Sequence, residues 1–361
     1  MVKYIYLLLT LSLSGLCDAQ IPSGYYNSAT GNGYNLKSQL KFIITNGHIA
    51  QEYDELYNAY ISSDSDIFYE NDNTVLDIYS ENPSGNDSYN YNHNDRTCGN
   101  YNSENDCYNR EHIFPQGFFN GQLPMKTDIH HVVPSDGYVN NRRANYPFGE
   151  VSSATWTSDN GSKVGQNTFD TYSGVVFEPI DEFKGDIARM LLYFAVRYED
   201  EATSDSWDNH TTLNNPLNGT NEQFYETWYL QLLYKWHIDD PVSNREILRN
   251  NEAFNFQGNR NPFIDYPEYV ESIWGSTLSN TNYLFNEKLA IYPNPTPYDY
   301  FYIKCEEKVS VKLYSILGKK IIQKTIDSFN PKLDISSITK GIYLLKISNS
   351  KNSITRKIIK K

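Results

Sequence analysis

The sequence predicts a mixed α+β fold followed by a small all-β sandwich. Apolar residues recur at helical spacing in several segments, most clearly over residues 181–199. A polar stretch over residues 109–150 is interrupted by prolines and glycines, which favours a strand, a loop, a second strand and a short helix over one long helix. From residue 285 onward, short segments alternate apolar and polar residues, which is typical of strands in a small sandwich.

The first twenty residues predict the compartment. Lys3 precedes an apolar run, and small and polar residues follow it up to Gln20, which is the pattern of a secretory signal peptide over residues 1–20. We expect cleavage after Ala19 or Gln20. No later apolar run is long enough to span a bilayer, so we expect no membrane-spanning helix in the mature chain.

Three cysteines remain if the signal peptide is removed. In an oxidising compartment Cys98 and Cys107 are natural disulfide partners that close a small loop just before Glu111, and Cys305 is left unpaired. Two free thiols or two metal ligands are the alternatives for the first pair. No CxxC pair supports a zinc site.

The elements of the larger region follow from periodicity and from turn residues. Helices are predicted at 36–49, 53–61, 181–199, 222–237 and 241–254, and strands at 74–79 and 175–179. Residues 81–108 and 151–174 are polar and rich in turn residues, and we expect loops there. Residues 257–265 form an irregular segment that we expect to return to the functional site.

The stretch over residues 109–150 concentrates the side chains that carry chemistry. It contains the pairs Glu111-His112 and His130-His131, together with several asparagines and arginines. A neutral imidazole takes a proton from water near neutral pH, Glu and Asn oxygens suit a hard cation, and Arg suits a phosphate. The set therefore predicts metal-assisted hydrolysis of a phosphodiester. A zinc peptidase is disfavoured because the chain has no HExxH spacing.

Four segments of the chain resemble the bacterial endonuclease I family, secreted nucleases of the His-Me finger (ββα-metal) class. The matching segments are NREHIFP at 109–115, TDIHHVVPSDGYVNNRRANYPFGE at 127–150, KGDIARMLLYFAVRY at 184–198 and DPVSNREILRNNEAFNFQGNRNPFID at 240–265. Together with the start at residues 21–31, the likeness covers a predicted nuclease domain at 21–275. It implies a His-Me finger core surrounded by helices.

The resemblance also implies a role for each matching residue. His112 matches the general base, Glu111 and Asn140 match the ligands of one divalent metal, and Arg143 matches a residue that contacts phosphate. Asp128, His130 and Asn145 match supporting positions. The implied cofactor is Mg²⁺, with Mn²⁺ or Ca²⁺ as alternatives, and the implied reaction is sequence-nonspecific cleavage of DNA, with RNA as a further substrate, to 5′-phosphate ends.

Residues 285–361, after a linker at 276–284, resemble the C-terminal sorting domain of type IX secretion cargo. The similarity lies in the IYPNP opening, the LYSILGKKI middle, the KGIYLLKI strand and the basic end. It implies export through the type IX machinery and a protein that is either released or attached to the cell surface. An adhesive or carbohydrate-binding module is the alternative, and the oligomeric state cannot be read from the sequence.

Charge divides the chain in a way that disfavours a polyanionic partner. Residues 285–361 hold 15 basic and 6 acidic residues, whereas residues 21–284 hold 15 basic and 37 acidic ones. Nucleic-acid affinity usually comes from clustered Lys and Arg. Thirteen of the acids lie between Glu52 and Asp106, and we interpret them as a solvated flank. The expected positive patch comprises Arg110, Lys126, Arg142 and Arg143.

Two further hypotheses compete with the nuclease. A secreted binding protein on an inactive nuclease fold would need none of the catalytic residues, yet Glu111, His112 and Asn140 are all present. A metallopeptidase would be inhibited by zinc chelators and would cleave casein. The absence of an HExxH motif argues against it.

Overall fold

The computed structural model describes residues 21–203, 215–279, 289–316, 318–349 and 353–361. The predicted signal peptide lies outside these residues. Helices in the described part of the larger region are α1 (Gly33–Thr45), α2 (Glu55–Ser63), α3 (Gly137–Arg143), α4 (Lys184–Arg197), α5 (Thr227–Asp239), α6 (Asn244–Gln257), α7 (Pro262–Asp265) and α8 (Tyr269–Ser279). None of the described helices is long and apolar enough to cross a membrane.

Helix α4 is the centre of the apolar core. All but its first residue are buried, and it packs against α1 and α5. Phe194 stacks on Phe114 with ring centroids 4.2 Å apart. The helices predicted from apolar periodicity are confirmed, although the predicted 181–199 segment begins with a 3₁₀ turn at Asp181–Phe183. Helix α4 is thus buried almost throughout, with helices α1 and α5 among its neighbours.

Strand β1 (Tyr108–His112) and strand β2 (Val132–Asp136) form an antiparallel pair in which Glu111 lies opposite Val133. Helix α3 follows β2 directly. The Asp136 carboxylate caps this helix, because its Oδ1 accepts hydrogen bonds from the backbone N–H groups of Tyr138 (2.7 Å) and Val139 (2.9 Å). The strand, loop, strand and short helix predicted for residues 109–150 are therefore present.

A second sheet contains β3 (Val151–Thr157), β4 (Lys163–Asn167) and β5 (Val175–Glu178) in that order. The prediction of a loop over 151–174 was wrong. Residues 152–155 of β3 are exposed on both faces, so the sequence lacks the apolar alternation that marks a half-buried strand. The predicted strand at 74–79 was also wrong, because only Val75 forms a β-bridge and a turn begins at Asp77.

The C-terminal region is all β. Its strands are β6 (Ala290–Tyr292), β7 (Tyr300–Lys304), β8 (Val309–Ser315), β9 (Lys320–Ile326), β10 (Lys332–Asp334), β11 (Gly341–Ser348) and β12 (Ser353–Lys360). They form two antiparallel sheets, ordered β10-β7-β6 and β12-β11-β8-β9, whose apolar residues share one buried core. The period-two alternation predicted this region. Cys305 is buried in that core as a free thiol.

The predicted linker lies between the helices of the larger region and the strands of the C-terminal region. Helix α8 continues to Ser279, so the first four residues of the predicted linker at 276–284 are helical. The rest of that linker lies outside the described residues.

Candidate active site

Glu111 lies on β1 and is 2% exposed. Its Oε1 accepts a hydrogen bond from the Tyr79 hydroxyl at 3.0 Å and lies 3.4 Å from Nη1 of Arg143. Burial raises the pKa of this carboxyl to about 7, against the opposing effects of Arg143 and of the Tyr79 hydrogen bond. Both of these side-chain contacts are made by Oε1.

His112 is the next residue of β1, and it is almost completely buried. Its Nε2 lies 3.1 Å from the main-chain carbonyl oxygen of Lys126. A carbonyl oxygen only accepts hydrogen bonds, so Nε2 must carry the proton and Nδ1 must carry the lone pair. Burial, and after it the neighbouring His131, lowers the pKa of His112 to about 3. The imidazole is therefore neutral at physiological pH, with Nδ1 as its basic atom.

Arg143 departs from the sequence expectation. It is 1% exposed, and its guanidinium donates to the main-chain carbonyls of His112 (3.1 Å) and Ile113 (2.5 Å) as well as pairing with Glu111. The guanidinium also lies over the ring of Phe148. These contacts point the side chain away from solvent. The prediction that Arg143 contacts phosphate is therefore corrected: it is a buried residue that holds Glu111 and the end of β1.

Asn140 lies on α3, where its side chain crosses to β1. Its Nδ2 donates to Oδ1 of Asn109 at 2.8 Å, which leaves its Oδ1 for another partner. Asn109 is two residues before Glu111, and residues two apart on a strand share a face. Asn140 is therefore on the same side of β1 as Glu111.

A pocket of about 400 Å³ opens beside this face. Its lining is mainly polar and aromatic and comprises Tyr53, Tyr57, Cys98, Tyr101, Asn109, Arg110, Gln116, Asn140, Asn141, Ala144 and Asn145. Asn145, predicted as a supporting residue, is exposed here. The pocket is suited to a polar, extended ligand rather than to an apolar one.

The structure brings together two of the four residues expected in the positive patch. The guanidinium of Arg110 lies 3.5 Å from the ring centroid of Tyr53, and Nζ of Lys126 lies 4.5 Å from the same ring. Arg110 also donates to the Asp54 carboxylate at 2.8 Å. Arg142 is exposed over Trp156, and Arg143 is buried. The patch therefore consists of Arg110 and Lys126, both in contact with Tyr53.

Sequence reasoning missed Tyr53 and Tyr79. Tyr53 also stacks on His112, with ring centroids 6.0 Å apart, and Tyr79 donates to Glu111. The chain contains 31 tyrosines, so a tyrosine far from the motif carries no signal of its own. The only signal for Tyr79 was its position just before the predicted loop over residues 81–108, which leads into β1.

The second histidine pair belongs to a different network. Asp128 Oδ2 accepts hydrogen bonds from the hydroxyls of Tyr193 (2.8 Å) and Tyr198 (2.7 Å), while Oδ1 accepts from Gln257 Nε2 (2.7 Å) and the His130 backbone N–H. Burial opposes ionisation, but the imidazoles of His130, His48 and His131 and the Gln257 hydrogen bond together outweigh it, and the pKa of Asp128 is lowered. Asp128 is therefore held as a fully partnered carboxylate.

His130 and His131 are equally enclosed. Nε2 of His130 lies 3.1 Å from the carbonyl oxygen of Asn259, and Nε2 of His131 lies 2.7 Å from that of Met125. Burial lowers the pKa of each imidazole to about 4. The segment at 257–265 thus returns to Asp128 and His130, on the buried side, rather than to the pocket.

A disulfide joins Cys98 and Cys107, whose Cα atoms are 5.7 Å apart. Cys107 immediately precedes β1, and Cys98 lines the pocket. The bond closes the loop that enters the strand carrying Glu111 and His112. It therefore restrains one wall of the site.

Comparison with known proteins gives two family matches along the chain. The model of the endonuclease I family matches residues 32–268, and that of the secretion system C-terminal sorting domain matches residues 290–361.

Three relatives match the larger region. The "Extracellular ribonuclease" of Bacillus subtilis (strain 168) is 36% identical over 257 residues, which cover 69% of this chain and 78% of that protein. The protein of the same description from Bacillus amyloliquefaciens is 35% identical over 254 residues, with the same coverage. The "Endonuclease-1" of Buchnera aphidicola subsp. Baizongia pistaciae is 25% identical over 140 residues, which cover 39% of this chain and 46% of that protein.

Proposed function

The chain belongs to the endonuclease I family, and we propose that it is a metal-dependent, sequence-nonspecific endonuclease in which His112 is the general base. The β1–β2–α3 unit is assigned to the His-Me finger (ββα-metal) arrangement. The observation that carries this proposal is the hydrogen bond from Asn140 of α3 to Asn109 of β1 at a polar pocket, on the strand that continues to Glu111 and His112. Family membership excludes the metallopeptidase hypothesis.

The protein is secreted, as its C-terminal sorting domain and its extracellular relatives show. The sorting domain implies the secretion machinery as a partner. We propose the type IX system as that machinery, with a signal peptide at residues 1–20 and either release or surface attachment as the outcome.

His112 supplies the proton acceptor. The Lys126 carbonyl fixes Nε2 as the protonated nitrogen, so Nδ1 is the atom that takes the proton from the attacking water. Because the pKa of His112 is lowered, the ring is neutral before the reaction begins. Tyr53 stacks against the ring and limits its rotation. The ring is thus neutral, and its orientation is fixed by its neighbours.

Glu111 and Asn140 supply the protein ligands for one divalent cation. Carboxylate and amide oxygens are the donors that Mg²⁺ and Ca²⁺ prefer, and the contact of Asn140 with Asn109 is made by Nδ2 and not by Oδ1. The donor set therefore fits Mg²⁺, with Mn²⁺ or Ca²⁺ as substitutes. When bound, such a cation polarises the scissile phosphate and stabilises the leaving oxygen. The expected products carry 5′-phosphate ends.

Arg110 and Lys126 are the best-placed groups for the nucleic-acid backbone. Arg110 lines the pocket, and both cations lie beside Tyr53. A guanidinium recognises phosphate through paired N–H groups, and a tyrosine ring offers a surface on which a base can stack. These contacts do not read sequence, which is consistent with a nonspecific enzyme.

The substrate is proposed to be DNA, with RNA as a second substrate. Among the relatives, two carry the name ribonuclease and one the name endonuclease. The names of the Bacillus proteins favour RNA, so both polymers belong in the first assay.

The test is degradation of supercoiled plasmid and of a long RNA by the purified full chain, with Mg²⁺, Mn²⁺ or Ca²⁺ and with EDTA. We expect cleavage of at least one polymer that stops with EDTA and falls by roughly 10²-fold or more in His112→Ala. His93→Ala is the matched control, because His93 bonds Ser65 away from the pocket. Intact plasmid and RNA under all three metals at low salt would favour a binding protein on an inactive fold.

A further inference from the structure

A second group of acids lies in the segment between α2 and β1. Asp66, Glu70 and Glu81 each offer a carboxylate oxygen, and these three oxygens lie within 4.8 Å of one another. We refer to these three residues as the acidic cluster. Asp66 is 2% exposed and Glu81 is 1% exposed, so the sequence-based interpretation of this flank as solvated is wrong at these positions. Asp64 and Asp77 of the same flank are buried as well.

Two members of the acidic cluster contain buried oxygens with no hydrogen-bond partner among the described residues. These atoms are Oε1 of Glu81 and Oε2 of Glu70. The other oxygen of Glu70 accepts from the Asp87 backbone N–H at 3.1 Å. Buried carboxylates without partners are costly, and each needs a cation, a donor or a proton.

No basic side chain in the described part of the chain forms an ion pair with the acidic cluster. Asp64, which lies next to it in sequence, differs in this respect, because Arg249 pairs with it at 2.8 Å. The carboxyl groups around Glu81 are those of Asp87, Glu70, Asp66 and Asp77. The acidic cluster therefore groups several carboxyl groups without a paired cation among the described residues.

The spacing of the oxygens suits a calcium ion. Ca²⁺ takes oxygen ligands at about 2.3–2.6 Å, so two ligands on opposite sides of the ion lie up to about 5 Å apart. The three oxygens of the acidic cluster meet that limit. Mg²⁺ is less suited, because it binds at about 2.0–2.1 Å and keeps several waters rather than three carboxylates. Backbone N–H groups of Phe68, Tyr69 and Glu70 hold the Asp66 carboxylate in place.

We propose that Asp66, Glu70 and Glu81 bind a structural Ca²⁺ ion, at a site separate from Glu111 and Asn140. Bound calcium would balance the buried charge and fix the segment that contains Asp77 and Tyr79. That segment contacts the catalytic unit twice: Asp77 Oδ2 accepts from the Asp136 backbone N–H at 2.7 Å, and Tyr79 donates to Glu111. The site thus supports the position of β1 and α3 without touching substrate.

The test measures thermal unfolding of the full chain with and without about 5 mM CaCl₂, a concentration suited to extracellular calcium sites. The Asn140→Ala variant is the background, since it weakens cation binding at the catalytic site while leaving the acidic cluster intact. We expect calcium to raise the Tm of this background by about 2–4 °C. Adding Glu81→Gln or Glu70→Gln should abolish the rise.

Asp95→Asn serves as the control for the calcium experiment, and two outcomes would overturn the proposal. Asp95→Asn removes one exposed acid from the same flank and should leave the calcium-dependent rise unchanged. If Glu81→Gln prevents folding, Glu70→Gln decides the question, because Glu70 is only partly buried. A background protein whose Tm does not respond to calcium but rises at lower pH would show that a shared proton holds the cluster together, and the proposal would be wrong. A calcium response that survives both Gln substitutions would also overturn it.

Discussion

The central stretch contains two pairs of residues with histidine, Glu111-His112 and His130-His131, which differ in their surroundings in the folded protein. Glu111-His112 lies on β1, next to Arg110 of the pocket wall, and Glu111 contacts Tyr79 and Arg143. His130-His131 lies just before β2 with Asp128, whose two oxygens accept four hydrogen bonds. We propose that the first pair binds and reacts and that the second stabilises the fold.

The clearest difference lies in the carboxylates, because Asp128 accepts four hydrogen bonds, whereas Glu111 accepts one from Tyr79 and pairs with Arg143. Burial lowers the pKa of His112 and of His130 in the same direction. Only the surroundings distinguish them, because His130 packs on Tyr193 within the core whereas His112 contacts Tyr53 of the pocket wall. Four predictions test this distinction.

The largest effect is expected from His112→Ala. Removing the proton acceptor should lower kcat by roughly 10²–10⁴-fold while the protein stays folded. The rate is measured on DNA and RNA, and folding is checked by circular dichroism. His131→Ala provides the comparison within the motif and should act mainly through stability. If His112→Ala and His131→Ala lost the same fraction of kcat per folded molecule, the proposed difference between Glu111-His112 and His130-His131 would be wrong.

Asp128→Ala is expected to have the largest effect on stability. The substitution leaves the hydroxyls of Tyr193 and Tyr198 and the amide of Gln257 without their buried acceptor. We expect the free energy of unfolding to fall by about 3–5 kcal/mol in urea denaturation. Asp95→Ala, at an exposed acid, should change it by less than about 0.5 kcal/mol. A cost for Asp128→Ala as small as this control would contradict the structural assignment.

Asp77 should make stability depend on pH. Burial and the nearby Asp136 raise its pKa to about 8 from an ordinary value near 3.8. The folded protein therefore holds a proton that the unfolded chain has lost, and the free energy of unfolding should fall as the pH rises through this window. Asp77→Asn should make the decline shallower by on the order of 2 kcal/mol. Urea unfolding at pH 5 and pH 8 measures the free energy of unfolding of the wild type and of Asp77→Asn. Equal declines in the two proteins would refute the raised pKa of Asp77.

The smallest effect is expected from Tyr79→Phe. The change removes one buried hydrogen bond to Glu111 and should cost about 1–2 kcal/mol of stability. It should also alter the Mg²⁺ concentration needed for half-maximal activity, since Tyr79 positions the carboxylate. Tyr138→Phe is the control. A shift in metal requirement of the same size in both variants would show that Tyr79 has no special link to Glu111.

Much of the fold was readable because its signals are local. The apolar stripe predicted α4, and alternation predicted the strands of residues 289–361. Strand β3 was missed because residues 152–155 are exposed. Its sequence therefore lacks the alternation of apolar and polar residues that predicts a strand. The stretch at 74–79 has strand-forming residues, but the Asp77 side chain accepts the Tyr79 backbone N–H and favours a turn instead.

The sequence predicted the types of residue in the candidate site better than the directions in which their side chains point. The family motif predicted Glu111, His112 and Asn140 as site residues, and the structure places them on β1 and α3. It placed Arg143 at a phosphate, whereas that side chain turns inward to main-chain carbonyls that no sequence pattern reveals. Composition could not show which acids of residues 52–106 are buried and which are exposed. Their burial depends on contacts with residues that are distant in the sequence.

The burial of Cys305 has a consequence for how the exported chain oxidises. Thiol–disulfide exchange requires a thiolate that reaches the sulfur it attacks. Cys305 is 4% exposed, and burial raises the pKa of its thiol, so the folded C-terminal region offers little attacking thiolate. The Cys98–Cys107 bond is thereby protected from this thiol once that region has folded. Folding of the C-terminal sheets before oxidation is complete would therefore favour the correct pairing near the active site.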